Sequence, residues 1–359
     1  MKKRVVSIEL LRILAMMMVV MLHYLGKGEL LPGLLEDMPH NGYVAWGLES
    51  LSIVAVNVYM LISGYFLVNA EFKPARLIEL LCQVLFYTLL VPVVLAVPGV
   101  ISLKDFTMYD LLLNVLPVQM IQYWFITAYV IMYLFSPVLA TAAKHMKQEQ
   151  LRNTIIILLL FFSVSKSILP VALEVDNAGY DGLWFICVFL TAAYIRLYGI
   201  PFFSRKKSVV KGVLCYLAGC VGIFGITMLI HAVYLKTGSL DHFVKEAFEY
   251  NHILNLFAAV ALFYAFLNME LSTEGVLAKL VYAVAPCSLG VYLLHEQLQV
   301  RYLWPKWLGA SLEGNAVVFV LRCVLAVVIV FVVGVLVDAF RRALFGVAVK
   351  VFKSIKGTR

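Results

Sequence analysis

SIELLRILAMMMVVMLHYLG, residues 7–26, sets an arginine and a histidine in a stretch that is otherwise almost wholly apolar. Ten uncharged residues separate Arg12 from His23. A run of this length can cross a hydrocarbon layer, which takes roughly 20 residues. An arginine inside that layer costs about 2.5–3.5 kcal/mol on insertion scales. Either a partner offsets that cost or the protein uses the group.

Composition places the rest of the chain in the same solvent. Of its 359 residues, 63% are hydrophobic and 14% charged, more apolar surface than a soluble domain can cover. Apolar runs bounded by charge or by Pro and Gly predict ten helices, near 5–26, 44–69, 76–99, 123–142, 151–170, 181–199, 209–235, 251–268, 277–297 and 315–340. The expected fold is an all-α polytopic bundle of about ten transmembrane helices. Residues 1–359 form a single integral-membrane domain with no separate soluble unit. Segment 104–121 is short and mixed, and is expected at the interface or re-entering it. The start MKKR before an apolar core looks like a signal peptide, but no small-residue cleavage site follows, so the first helix is expected to be retained.

The net charge of +8 does not indicate nucleic acid, because the basic residues cap apolar segments instead of massing on one face. With the amino terminus in the cytoplasm, the inner connections hold Lys2, Lys3, Arg4, Lys73, Arg76, Lys144, Lys147, Arg152, Arg196, Arg205, Lys206, Lys207, Lys211, Lys279 and the tail from Arg341 to Arg359. The outer ones hold Lys27, Lys104, Lys236, Lys245, Arg301 and Lys306 beside the acidic stretches LLEDMPHNGY and ALEVDNAGYDG. The positive-inside bias therefore puts both termini in the cytoplasm. Cys82, Cys187, Cys215, Cys220, Cys287 and Cys323 all lie in apolar segments without a CxxC pair, which predicts no disulfide and no metal site.

In that orientation Arg12 lies in the inner half of the first helix and His23 roughly 16 Å further out. Eleven residues are close to three turns, so both project from nearly one face. A cation near the inner mouth suits an anion arriving from the cytosol, and a neutral imidazole further out suits proton transfer. The bland alternatives are an Arg12 that snorkels or pairs with Glu9, and a His23 bonded to a loop. In the second helix, Asn57, Ser63 and Gly64 stand out. Small residues such as Ser63 and Gly64 permit close helix approach or a bend. Trp124 reads most simply as part of an aromatic belt. His295 and Glu296 reach the outer edge, with Ser288 two turns earlier on the same face as His295, and the His-Glu pair could be merely solvated. Arg322 is one more intramembrane charge that needs a carboxylate or a polar cavity.

Several stretches together resemble the integral-membrane acyltransferase 3 family. They are ELLR with the Arg-x10-His spacing of Arg12 and His23, then YMLISGYFL, YWFITAYVIMYLFSPVL, WFICVFLTAAYIRLYG and SLGVYLLHEQL, in the family's order and spread over nearly the whole chain. The resemblance implies transfer of an acyl group, commonly acetyl from acetyl-CoA, to a hydroxyl or amine on the extracytoplasmic side. Acceptors in the family include cell-surface polysaccharides and other glycans. It places Arg12 and His23 at the functional centre, with acyl-CoA as co-substrate and no bound cofactor. Asn57, Ser63, Gly64, Trp124, Ser288, His295, Glu296 and Arg322 are candidates for contacts to acyl-CoA or acceptor. The expected partners are membrane lipid, acyl-CoA, a hydroxyl-bearing acceptor and a possible second copy of the chain. The expected location is a cell membrane, on the family's pattern that of a bacterium. Many family members add an extracellular hydrolase-like domain; none is read here, so the bundle would complete transfer alone or pass the acyl group on. Two alternatives stay open. Intramembrane Arg, His and Asn also mark solute pathways in transporters, and polar residues can serve as interhelical glue in an assembly subunit.

Overall fold

The computed structural model describes residues 5–170, 175–203 and 208–357, with side chains as far as residue 350. Lys2, Lys3, Arg4, Arg205, Lys206, Lys207 and Arg359, which carry part of the topology argument, lie outside the described residues, as do Ala172, Leu173 and Glu174. Helices account for all the regular structure among the described residues, and they follow the predicted order. They are α1 (Val6–Lys27), α2 (His40–Ser52), α3 (Ala55–Leu67), α4 (Pro74–Ala96), α5 (Met108–Val115), α6 (Trp124–His145), α7 (Gln148–Leu159), α8 (Ser165–Ile168), α9 (Gly182–Tyr198), α10 (Ser208–Thr237), α11 (Ile253–Leu267), α12 (Val276–Val284), α13 (Ser288–His295), α14 (Trp304–Trp307) and α15 (Ala316–Gly357). Grouped by continuity, nine helical spans among the described residues are long and apolar enough to cross a bilayer, and α9 supplies a shorter tenth of 17 residues. The mixed segment 104–121 forms only the short α5 with its turns, too short to span.

Three predicted helices are each divided, the one near 151–170 by a π-helical turn, Leu160–Val164, between α7 and α8. The helix near 44–69 breaks at Ile53–Val54 into α2 and α3, after Ser50 bonds its hydroxyl back to the Gly47 carbonyl at 2.7 Å. Such back-bonding competes with the helical ladder. Helix α3 continues unbroken through Ser63 and Gly64, and of the two readings for that pair Gly64 supplies the close helix approach. The helix near 277–297 is divided by the 3₁₀ turn Ala285–Cys287, where Pro286 has no N–H to continue the ladder. Pro137, by contrast, leaves α6 unbroken. A proline there frees the carbonyl four residues back, and Ser136 donates its hydroxyl to that Tyr133 carbonyl at 2.7 Å.

Helix α1 runs through the middle of the bundle, packed against α2, α3, α12, α13 and α15. Its Leu11, Ala15, Val20, Tyr24 and Leu25 are fully buried. Around it α3, α6 and α9 form a second packed group. Gly64 makes the α3–α9 contact possible: a methyl there would lie 2.8 Å from the Ala192 Cβ and 3.1 Å from the Phe189 Cα. Close approach of backbones across a small residue is how membrane helices gain packing energy when lipid is as apolar as the side chains. The longest helix, α15, has 42 residues, about 63 Å, so it extends well beyond one hydrocarbon thickness.

One end of the bundle carries a concentration of basic residues, Lys73, Arg76, Lys144, Lys147, Arg152, Arg196, Lys211, Lys279, Arg341 and Arg342. We call it the basic end. Arg196 at the foot of α9 donates to the Tyr65 hydroxyl of α3 at 2.8 Å, and Gln148 of α7 to Tyr194 at 3.2 Å, which ties these helix ends to a common level. Gly64→Val would force α3 and α9 apart, with a loss of about 1–3 kcal/mol from overpacking. The expected outcome is a lower Tm in detergent for that variant, while Gly47→Val, where a methyl meets nothing within 4 Å, stays near wild type.

Candidate active site

His23 sits on the last turn but one of α1, and α13 presents His295 to it from across the bundle. The His23 Nδ1 lies 2.8 Å from His295 Nε2, and His295 Nδ1 lies 2.6 Å from the Val291 carbonyl. These partners fix the tautomers. A carbonyl only accepts, so His295 carries its proton on Nδ1, and a neutral ring then leaves Nε2 as an acceptor. His23 must therefore donate from Nδ1, which leaves its Nε2 with a lone pair and no hydrogen-bond partner among the described residues. The nitrogen of His23 that carries the lone pair is therefore the one not bonded to His295.

Glu296, the next residue in the chain, closes the arrangement. Its Oε2 is 3.3 Å from His23 Nδ1, while its Oε1 faces Lys27 Nζ at 3.8 Å and Arg301 Nη1 at 3.6 Å. Both cations also lie over the Tyr302 ring, each 5.1 Å from its centre. Burial raises the Glu296 carboxyl above its ordinary range, against the opposing pull of Lys27, His295 and Arg301. The His295 backbone is held in turn, its carbonyl accepting from Trp304 Nε1 at 3.0 Å, and Tyr123 donates to the Leu293 carbonyl at 2.9 Å. His295 and Glu296 are therefore buried parts of one network, and the reading of a solvated helix end is overturned. Tertiary docking of α13 against α1 excludes the water that a lone helix terminus would meet.

One cavity reaches this network at His23, and a second adjoins the first. The upper one is narrow, about 60 Å³, and is lined by His23, Trp124, Tyr250, Tyr292 and apolar residues of α1 and α3. The lower one opens at the basic end, measures about 670 Å³ and is lined by Arg12, Ser63, Arg76 and Arg341 among others. Tyr59, Phe125 and Leu289 line both, so these three side chains form the partition between them. The Tyr59 hydroxyl donates to the Arg12 carbonyl at 2.7 Å, which pins the partition to α1. Along one wall of the lower cavity, Phe125, Tyr129 and Tyr133 of α6 stack at four-residue intervals, with centres 6.4 and 6.1 Å apart and planes within 16°.

Arg12 and His23 thus face connected cavities at two depths, as the eleven-residue spacing predicts. Ser63 joins Arg12 in the lower cavity, whereas the adjacent Gly64 turns away onto α9. Trp124 stands in the upper cavity stacked on Tyr250, 5.5 Å apart, and not in a lipid-facing belt. Asn57 is fully buried outside both cavities. It accepts from Trp184 Nε1 at 2.9 Å and donates to the Tyr250 carbonyl at 2.8 Å, so it holds α3, α9 and the Tyr250 backbone together. Ser288 is buried and lines neither cavity. Arg322 is satisfied by a backbone carbonyl, that of Ser311 at 3.0 Å, and not by a carboxylate. Sequence reasoning passed over Tyr59 and Phe125, which look like ordinary core aromatics, and over the ion-pairing of Lys27 and Arg301, which read as topology charges.

The six cysteines are free thiols. Among the described residues no group of three or more His, Cys, Asp or Glu is arranged to hold a metal ion. A family model described as an acyltransferase domain, of the acyltransferase 3 type, matches residues 5–336. No curated protein and no solved structure matches the chain.

The direction of the Glu296 shift gives a test of the network. A carboxyl whose folded pKa is raised contributes its full stability below the ordinary carboxyl pKa of about 4.3 and loses it as pH rises through the folded value. Glu296→Gln removes that loss. The Tm of Glu296→Gln relative to wild type should therefore rise between pH 4 and pH 7 in thermal unfolding of the detergent-solubilised protein. A difference that is flat or falls over that window would contradict the burial-dominated network.

Proposed function

Because this chain belongs to the acyltransferase 3 family and is a multi-pass membrane protein with an acyltransferase domain, we propose that it transfers an acetyl group from cytosolic acetyl-CoA to a hydroxyl of an extracytoplasmic glycan. The observation that carries this reading is the placement of His23. Its free Nε2 borders the upper cavity, and only Tyr59, Phe125 and Leu289 separate that cavity from one lined with guanidinium groups. In this reading the basic end faces the cytoplasm, in keeping with the positive-inside bias, and the membrane is that of a bacterium.

The donor enters at the basic end. Arg12 meets its anionic part in the lower cavity, and the thin pantetheine arm passes the partition so that the thioester reaches His23. An upper cavity of about 60 Å³ with an apolar lining suits a short acyl group. The acceptor hydroxyl approaches from the opposite mouth. His23 Nε2 takes its proton as the hydroxyl oxygen attacks the thioester carbonyl carbon. The tetrahedral intermediate then collapses, the C–S bond breaks, and the imidazolium returns the proton to the departing sulfur, giving the ester and free CoA. His295 is a positioning residue here, since its Nε2 accepts from His23 Nδ1 and keeps the opposite nitrogen unprotonated. Glu296 offsets the positive charge that His23 gains while it holds the proton.

The polar ring of contacts about His23 resembles the logic of a nucleophile–base pair oriented by a third group, with substrate supplying the nucleophile. A transporter would need no such tautomer control, and solute uptake is the activity to measure if acetyl-CoA does not bind. His23→Ala should reduce acetyl transfer by at least a hundredfold, in the range assigned to general base catalysis, while acetyl-CoA still raises the Tm of the purified variant. His295→Ala should leave a smaller residue of activity and shift the pH profile of kcat, because its loss frees the His23 tautomer. Undiminished transfer by His23→Ala, or no Tm response of the wild type to acetyl-CoA, would remove this reading.

A further inference from the structure

At the mouth of the lower cavity, α15 carries a fully buried carboxylate, Asp338. Its Oδ1 accepts from Arg341 Nε at 2.7 Å, from Tyr87 at 2.9 Å and from Gln83 Nε2 at 3.1 Å, and its Oδ2 accepts from Arg341 Nη2 at 3.2 Å. Residue 290 of α13 must be glycine for this packing, since a methyl there would lie 2.3 Å from Oδ1. Three helices are thus shaped around one carboxylate. A buried ion pair of this kind rarely adds net stability over an apolar substitute, so its geometry calls for another account.

That geometry fixes a guanidinium against the cavity. Asp338 occupies the Nε and one Nη2 donor of Arg341, and the remaining three N–H groups of the five are left for the cavity that Arg341 lines. Arg12 and Arg76 line the same cavity, and the stacked rings of Phe125, Tyr129 and Tyr133 form part of its wall. Planar, pre-oriented guanidinium groups are matched to phosphate oxygens, and flat aromatic rings to a heterocyclic base. We propose that Arg341, held by Asp338, binds the phosphates of the donor's nucleotide, with the base seated on the aromatic wall at the half-buried Tyr129. This rests on the acyl-CoA reading above and names the residues that would recognise the nucleotide half of that donor. Asp338 is a positioning residue: it touches no ligand but sets the plane of Arg341.

The experiment uses the full chain in detergent, with CoA and pantetheine titrated calorimetrically into wild type, Arg341→Gln and the double variant D338N/R341Q. The double variant removes both charges together, so no carboxylate is stranded, and Tyr87 and Gln83 keep an acceptor at position 338. Both variants are expected to weaken CoA binding tenfold or more and to leave pantetheine binding within twofold of wild type. Km for acetyl-CoA should rise more than kcat falls. Asp338→Asn with Arg341 intact should weaken CoA binding severalfold, as a freed guanidinium loses its fixed orientation. CoA affinity unchanged in the double variant, or CoA and pantetheine weakened alike, overturns the proposal. A wild type that binds neither compound fails earlier, at the acyl-CoA reading itself.

Discussion

The bond from His23 Nδ1 to His295 Nε2 is the constraint on which the site depends. It is set from outside, because the Val291 carbonyl leaves His295 no freedom about where its proton sits. That carbonyl belongs to α13 itself, one turn back, so the tautomer of His295 is written into the helix that carries it. The tautomer of His23 follows across the interface. Of the four ring nitrogens three are committed, both of His295 and the Nδ1 of His23, which leaves the His23 Nε2 lone pair uncommitted. The contact joins positions 272 apart in sequence.

Helix α1 can serve both cavities because it lies at the centre of the packing and not at its rim. Lipid would otherwise meet Arg12 at a cost that few helices bear. The basic cavity gives the guanidinium water and, in the proposed cycle, an anion. The same centrality explains the partition. Tyr59 bonds to the Arg12 backbone, so the α3 side of the partition is registered to the helix that carries both polar residues. A cavity continuous at full width would let water and ions cross the bilayer, whereas Tyr59, Phe125 and Leu289 stand between the two cavities.

Much of this was legible in the amino-acid sequence because hydropathy reports spans directly. Each of the ten predicted segments is helical, nine of them within a few residues of the expected limits, while the last, predicted to end at 340, runs on to Gly357. The Arg-x10-His spacing also placed both residues on one face, a consequence of helix geometry alone. The divisions within three of those helices were harder to read. The 277–297 segment reads as one helix although Pro286 lacks the N–H its ladder needs. The Ile53–Val54 break comes just after Ser50 bonds back to Gly47, and Gly64 serves close helix approach, one of the two readings of its pair. Long-range partners were hidden for a further reason. Whether Glu296 is solvated or buried depends on which helix docks against α13, and periodicity within one helix carries no information about its neighbour. Arg322 illustrates the limit: a backbone carbonyl satisfied it, and carbonyls leave no mark in a sequence.

The distribution of charge between the two cavities is itself an argument about direction. The wide cavity is lined by three guanidinium groups against one carboxylate, Glu79, and the narrow one has no charged side chain in its lining, only His23 among aromatic and aliphatic residues. A group that binds anions strongly would hold a phosphate wherever it stood, so arginines beside His23 would trap the donor's nucleotide at the reacting centre. They would also disfavour protonation of the imidazole that must accept a proton there. Separating the two tasks along α1 avoids both effects. Lys27 and Arg301 do stand close to His23, but Glu296 lies between them and the ring, and its carboxylate turns their field into an anchor. In the proposed cycle the carboxylate thus serves twice, holding two cations off His23 and favouring the charge that the imidazole would acquire as a base.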